Sequence, residues 1–131
     1  MKGYIENIEK LTTENKKFRQ VLYTGKFSQL VLMNLLPGEE IGEEVHTLDQ
    51  FFRFESGKGK VIIDGVKNEI ENGFAVIVPA GARHNVVNTS SDVDLKFYTI
   101  YSPPEHQDGV IRATKLEAEA NPEHFDGKTT E

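Results

Sequence analysis

The chain has 131 residues, 37% of them apolar and 27% charged, which fits one globular domain able to bury a core without covalent staples. Its formal net charge of −6 argues against nucleic acid and anionic membrane surfaces as partners, and the absence of cysteine removes disulfide frameworks, thiolate zinc sites and cysteine nucleophiles. No stretch approaches the roughly 18 apolar residues of a membrane span, and Met1–Lys10 lacks the apolar core of a secretory signal, so the cytoplasm is the expected compartment.

Residues 1–17 are polar with scattered apolar positions and read as an arm or a short helical turn. From Phe18 the texture changes. FRQVLYTG, SQLVLMNLL, EVHTLDQFFRFE, KVIIDGVKNEI, FAVIVPA, HNVVNTS and DLKFYTIYS are short and rich in β-branched and aromatic residues. Breakers such as Pro37-Gly38, Gly57, Asn72-Gly73, Pro79-Ala80-Gly81 and Pro103-Pro104 separate them, so the expected class is all-β, a sandwich or barrel. Asp64-Gly65 between VII and VKNEI is the strongest hairpin signal, because a type I′ turn needs positive φ at both central positions. After Pro104 the chain turns polar again, with a short helix expected over 113–120 and a frayed tail beyond it. The expected organisation is an arm over 1–17, a barrel over 18–103 and a partly flexible extension over 104–131.

Glu39, Glu40 and Glu43 lie after Pro37-Gly38 and read as a solvated turn. Of the four histidines, His124 falls in the tail and His106 follows the prolines, where it could lie near a cavity mouth. His46 and His84 each open a strand just after a Gly/Pro turn. Side chains two apart in a strand share a face, so Glu44, His46 and Gln50 project together, continued by Phe52 and Phe54, with Arg53 on the opposite face. Convergent polar groups above an aromatic floor describe a pocket, and a carboxylate buried there needs a cation. His84 is the obvious fourth member. In LKFYTIYS, Lys96 prefers solvent, which turns Leu95, Phe97, Thr99 and Tyr101 inward and puts Thr99 and Tyr101 on the pocket wall.

These residues resemble the two motifs of the cupin superfamily. The first reads Gly38, five residues, Glu44-Val45-His46, three residues, Gln50, six residues, Gly57; the second reads Gly73, five residues, Pro79-Ala80-Gly81, two residues, His84, three residues, Asn88. Fifteen residues separate Gly57 from Gly73, the short gap of small single-domain members. The resemblance implies a double-stranded β-helix, the jelly-roll barrel, and one divalent metal on Glu44, His46, Gln50 and His84. The chain departs from the family at two ligand positions: Glu44 stands for the first histidine and Gln50 for the usual glutamate. The changes offset one another in charge. The resulting set suits Fe, Ni, Mn, Co or Zn without choosing among them, and includes a two-His-one-carboxylate subset able to hold Fe(II). A barrel that has lost its metal is the competing reading.

Three functions follow from the resemblance. The first is a metal-dependent enzyme that polarises a small oxygenated substrate, in the manner of a sugar or sugar-acid isomerase, with Tyr101 or a metal-bound water moving the proton; the ligand types are similar to those of mannose-6-phosphate isomerase-like cupins. The second is an Fe(II)-dependent dioxygenase, for which Phe52 and Phe54 would floor a less polar pocket. The third is a non-catalytic module that binds a small molecule. In each case a homodimer is expected, the apolar positions Tyr4, Ile5, Ile8 and Leu11 of the arm packing across the neighbour.

Overall fold

Alternation of buried and half-buried residues along the strands shows that each sheet has one face to hide. In β4 (Asp49–Ser56) Gln50, Phe52 and Phe54 are buried, and in β9 (Leu95–Ser102) Leu95, Phe97, Thr99 and Tyr101 are, while their sequence neighbours are more exposed. The computed structural model, which describes residues 1–131, satisfies both faces by stacking two antiparallel sheets. The larger has the order β10-β1-β2-β9-β4-β7, where β1 is Arg19–Thr24, β2 Gln29–Leu35, β7 Ala75–Val78 and β10 Ile111–Arg112. The smaller has the order β3-β8-β5-β6, where β3 is Glu44–Val45, β5 Lys58–Ile63, β6 Val66–Glu71 and β8 Arg83–Asn88. Val31, Met33, Leu35, Phe52, Phe54 and Phe97 from one sheet meet Val61, Ile70 and Val86 from the other, and these form the core.

The hairpin at Asp64-Gly65 has both central residues at positive φ, +48° and +81°, and joins β5 to β6 with Ile63 opposite Val66. Gly57 combines φ +93° with a packing limit, since a Cβ there would lie 2.5 Å from the Asp94 carbonyl oxygen.

Three expectations need amendment. EVHTLDQFFRFE is not one strand: Glu44–Val45 belongs to the smaller sheet, residues 46–48 cross over, and Asp49 starts β4 in the larger one. Parity cannot be counted through that crossing: Glu44 projects from the smaller sheet and Gln50 from the larger one. The frayed tail is instead tied down. Phe125 N–H donates to the Glu105 carbonyl (2.7 Å), Thr130 N–H to the Thr24 carbonyl (2.9 Å), and Tyr23 O–H to the Glu131 carboxylate (2.6 Å). The arm contains a real helix, α1 (Ile8–Glu14), started by Asn7, whose side chain accepts from Lys10 N–H. It lies against β2, β4 and β9 of its own chain, leaving Ile5 90% exposed. A second short helix, α2 (Lys115–Ala120), is capped by Thr114. No helix is long and apolar enough to cross a membrane.

Candidate metal centre

The Pro79–Ala82 turn aims His84 inward. Gly81 takes φ +88° and its N–H donates to the His46 carbonyl at 2.8 Å, so the turn of one motif is fastened to the other motif. His84 is buried, and its Nδ1 lies 3.1 Å from the Ala82 carbonyl oxygen. A carbonyl only accepts, so Nδ1 carries the proton and Nε2 keeps a free lone pair, the arrangement that backs most metal-binding imidazoles.

Glu44 sits opposite His84 in the β3–β8 register. Its Oε2 lies 3.3 Å from His46 Nε2, and the His46 Nδ1 faces Glu105 Oε1 at 3.9 Å. Burial alone would raise the Glu44 pKa, but the hydrogen bond and charge of His46, with Arg19 and His84, hold it below the ordinary carboxylate value. The same hydrogen bond to Glu44 raises His46, against burial. The two shifts share one cause, the contact between His46 Nε2 and the Glu44 carboxylate, which favours a charged pair. The two imidazole rings are 5.3 Å apart, and the Glu44 side chain keeps 37% of its exposure, so the site opens to solvent on that side.

Gln50 enters from the larger sheet, opposite Tyr101 on one side and Val78 on the other. Its Nε2 donates to Thr99 Oγ1 at 3.0 Å, but its Oε1 is buried with no partner. Beneath it, the Phe52 ring stacks on Phe54 and meets the His84 ring edge-on at 6.4 Å. Phe54 lies one step deeper, packed on Phe97 at 5.1 Å within the core. Tyr101 is buried, its ring edge-on to His46 at 6.0 Å.

Beside these stands a group that sequence reasoning did not assemble. His106 is buried; its Nε2 lies 3.3 Å from the Tyr101 hydroxyl and its Nδ1 3.0 Å from Glu123 Oε1. Arg112 approaches Glu123 at 3.2 Å and Arg19 at 3.7 Å. Parity with the inward-facing Val21 was a usable signal for Arg19; nothing in the polar tail marked Glu123. Arg19 Nε, Gln50 Oε1 and Arg112 Nε are buried without a hydrogen-bond partner, and beside them the buried His106 Nδ1 and Glu123 Oε1 have only each other, at 3.0 Å. Buried polar groups are normally paired, so such a concentration marks a place that expects a further partner.

As the side chains stand, no three His, Asp or Glu residues are placed to hold a metal ion, and His46 Nε2 faces Glu44. The donor set nevertheless fits a transition metal: two imidazoles, one with its second nitrogen anchored, a carboxylate, and an amide oxygen left unpaired in a buried position. The larger surface clefts lie elsewhere, at the seam of β6 and β7, where about 550 Å³ opens among Val61, Ile63, Ile70, Phe74 and Val76.

The family model described as "Cupin domain" matches residues 31–101, the stretch that carries both motifs. The uncharacterized protein YrkC of Bacillus subtilis is 42% identical over 126 residues, covering 91% of this chain and 67% of that protein. The crystal structure of BH2720 from Bacillus halodurans superposes with a TM-score of 0.89 at 40% identity, covering 92% of this chain and 96% of that one. A shorter likeness, 39% identity over 51 residues, joins the chain to the dimethylsulfoniopropionate lyase DddW of Ruegeria pomeroyi, covering 39% of this chain and 34% of the lyase.

Proposed function

The chain belongs to the cupin family, and on that footing we propose that it is a metal-dependent enzyme acting on a small oxygenated acid. Glu44, His46, Gln50 and His84 would hold one divalent ion, of Fe, Ni, Mn, Co or Zn type. The observation that carries this reading is the buried, unpartnered Gln50 Oε1, in the same interior as a His84 whose Nδ1 is already anchored. When bound, such an ion supplies Lewis acidity that polarises a carbonyl or stabilises an enolate.

The chain's own residues supply the rest. Arg19 and Arg112 bring two positive charges; Glu44, Glu105 and Glu123 bring three negative ones. With a dication added and the imidazoles neutral, one positive charge is left over, which matches a substrate with a single carboxylate. Phe52 and Thr99 close the floor and exclude water. Tyr101 is an acid–base group beside the metal-binding residues, its ring facing His46, while the Glu105 carboxylate lies behind the His46 ring at Nδ1. A sugar acid undergoing isomerisation fits this chemistry, which begins with a proton taken from carbon beside a carbonyl. The lyase relative supports the same class, since dimethylsulfoniopropionate is itself a small carboxylate.

A second reading, an Fe(II)-dependent dioxygenase, draws on the stacked Phe52–Phe54 floor. Both can be tested on one sample. Metal-loaded protein in deuterated water is offered small keto, hydroxy and sugar acids while proton spectra are recorded. Loss of the C–H signal beside a carbonyl supports the proposal. Oxygen uptake without such exchange supports the dioxygenase, and binding with neither leaves a non-catalytic module. We also propose a homodimer in which the exposed Ile5 of each arm is covered by the neighbour; a monomeric mass by light scattering at micromolar concentration would refute it.

A further inference from the structure

We propose that Tyr101, His106 and Glu123 form a proton relay, so that the C-terminal extension supplies the base that stands behind the catalytic hydroxyl. The inference rests on the reading above in taking Tyr101 as the group that meets substrate. With His106 neutral, only one placement of its ring proton gives each atom in the chain a complementary neighbour. Glu123 Oε1 can only accept, so the nitrogen 3.0 Å away, His106 Nδ1, carries the ring proton. His106 Nε2 then has a lone pair, and the Tyr101 O–H, 3.3 Å away, donates to it. The rings meet edge-on at 5.1 Å.

The surroundings hold this order in place. Gln29 is buried and grips the His106 backbone from both sides: its Oε1 accepts from His106 N–H at 2.9 Å and its Nε2 donates to the His106 carbonyl at 2.7 Å. Glu123 is fixed by Arg19 of β1 and Arg112 of β10, and Arg112 also donates to the Asn121 carbonyl, pinning the tail on which Glu123 rides. Burial would push the Glu123 carboxyl up, but the contact with His106 and the charges of His106, Arg19 and Arg112 bring it below the ordinary value, so it is ionised at neutrality. Burial, the largest influence on His106, keeps that ring below the usual imidazole range although Glu123 and Glu105 act the other way. The resting state is a neutral imidazole against a carboxylate.

The relay meets a difficulty that Tyr101 has alone. Its ring is buried with no cation in contact with the hydroxyl, a setting that disfavours a free tyrosinate as the base. In the relay no tyrosinate forms. A proton leaving the substrate's acidic C–H passes to Tyr101 Oη while the phenol's own proton passes to His106 Nε2. Substrate becomes an anion, Tyr101 stays a neutral phenol, and His106 becomes an imidazolium beside the Glu123 carboxylate. Reversal returns the proton to the same or a neighbouring carbon. The logic is that of a base oriented and charge-balanced by a buried carboxylate.

The test is nitrogen NMR of histidine-labelled, full-length, metal-free protein, followed by titration with zinc. The wild type is expected to show His106 neutral near pH 7 with its proton on Nδ1. In Tyr101→Phe the Nε2 resonance is expected to move toward that of a ring nitrogen with no donor, the tautomer unchanged. In Glu123→Gln, which keeps an acceptor but loses the charge, the His106 pKa is expected to fall by about one unit or more. A proton on Nε2 in the wild type overturns the relay, as does a His106 pKa that Glu123→Gln leaves unchanged. The wild-type tautomer decides the matter even where a variant fails to fold. Zinc-dependent shifts of His46 and His84 report on the metal reading separately, so the two ideas can fail independently.

Discussion

Replacing Gln50 by Met should leave the metal-free protein about as stable as before while abolishing its hold on metal. The Gln50 Oε1 is buried without a partner, and a group in that state carries a desolvation cost of about 1–3 kcal/mol. Its Nε2 bond to Thr99 Oγ1, at 3.0 Å, is the one hydrogen bond of that buried hydroxyl, so the substitution leaves Thr99 unsatisfied at a similar cost of about 1–3 kcal/mol. Methionine has nearly the same length, no polar end and the flexibility to fill the space against Phe52. The two terms offset, and the balance lies within about 1 kcal/mol of zero, or roughly 5 °C either way in melting temperature for a domain of this size. Urea unfolding of both proteins after chelation gives the stability difference, and zinc or nickel titration gives the affinity. A loss of about 2 kcal/mol or more in the metal-free variant would refute the reasoning, because the Gln50 oxygen would then have a stabilising partner of its own and would not be waiting for an ion.

Other outcomes follow from the same geometry. The His106 and Glu123 pKa values are both depressed in the folded protein, so each contributes stability that is full above its unfolded pKa and is lost as pH falls. Measured against His106→Gln, so that the opposing contribution of the raised His46 pKa is common to both proteins, the urea midpoint should therefore drop below about pH 6.5 as the unfolded chain takes up a proton at His106, and in both below about 4.5 as Glu123 is protonated; a difference between the two proteins that stays flat from pH 7 to 5 would contradict this. Glu123→Ala leaves Arg19 and Arg112 without their shared carboxylate and should cost about 2–3 kcal/mol, less than a fully buried pair because both guanidiniums keep some solvent. Gly59→Ala places a Cβ 2.3 Å from the Val87 carbonyl oxygen across the β5–β8 ladder and should cost at least about 2 kcal/mol in the same assay.

The part of this fold that could be read from sequence is the part governed by local rules. Asp64-Gly65 encodes its own turn, and the alternation in DQFFRFES and LKFYTIYS encodes which side is buried. The break inside EVHTLDQFFRFE could not be read. Thr47, Leu48 and Asp49 have strand-compatible side chains, and what ends β3 there is non-local: His46 accepts from Gly81 and Asp49 from the Ala80 N–H. The tail was illegible for a similar reason. NPEHFDGKTTE has the composition of a loose end, and its order comes from Glu123 meeting two arginines and a histidine that lie far from it in sequence. Motif spacing named Glu44, His46, Gln50 and His84 as candidates; the group behind Tyr101 exists only once the chain is folded.

The metal content of protein purified without a histidine tag, alongside His84→Ala, bears on everything above. Near one equivalent of a transition metal in the wild type, lost in the variant while its fold is retained, is the expected result. Wild-type protein that takes up no metal even when Fe, Ni, Mn, Co or Zn is supplied would contradict it, and would leave the Gln50 oxygen and the free His84 nitrogen without the partner assigned to them here.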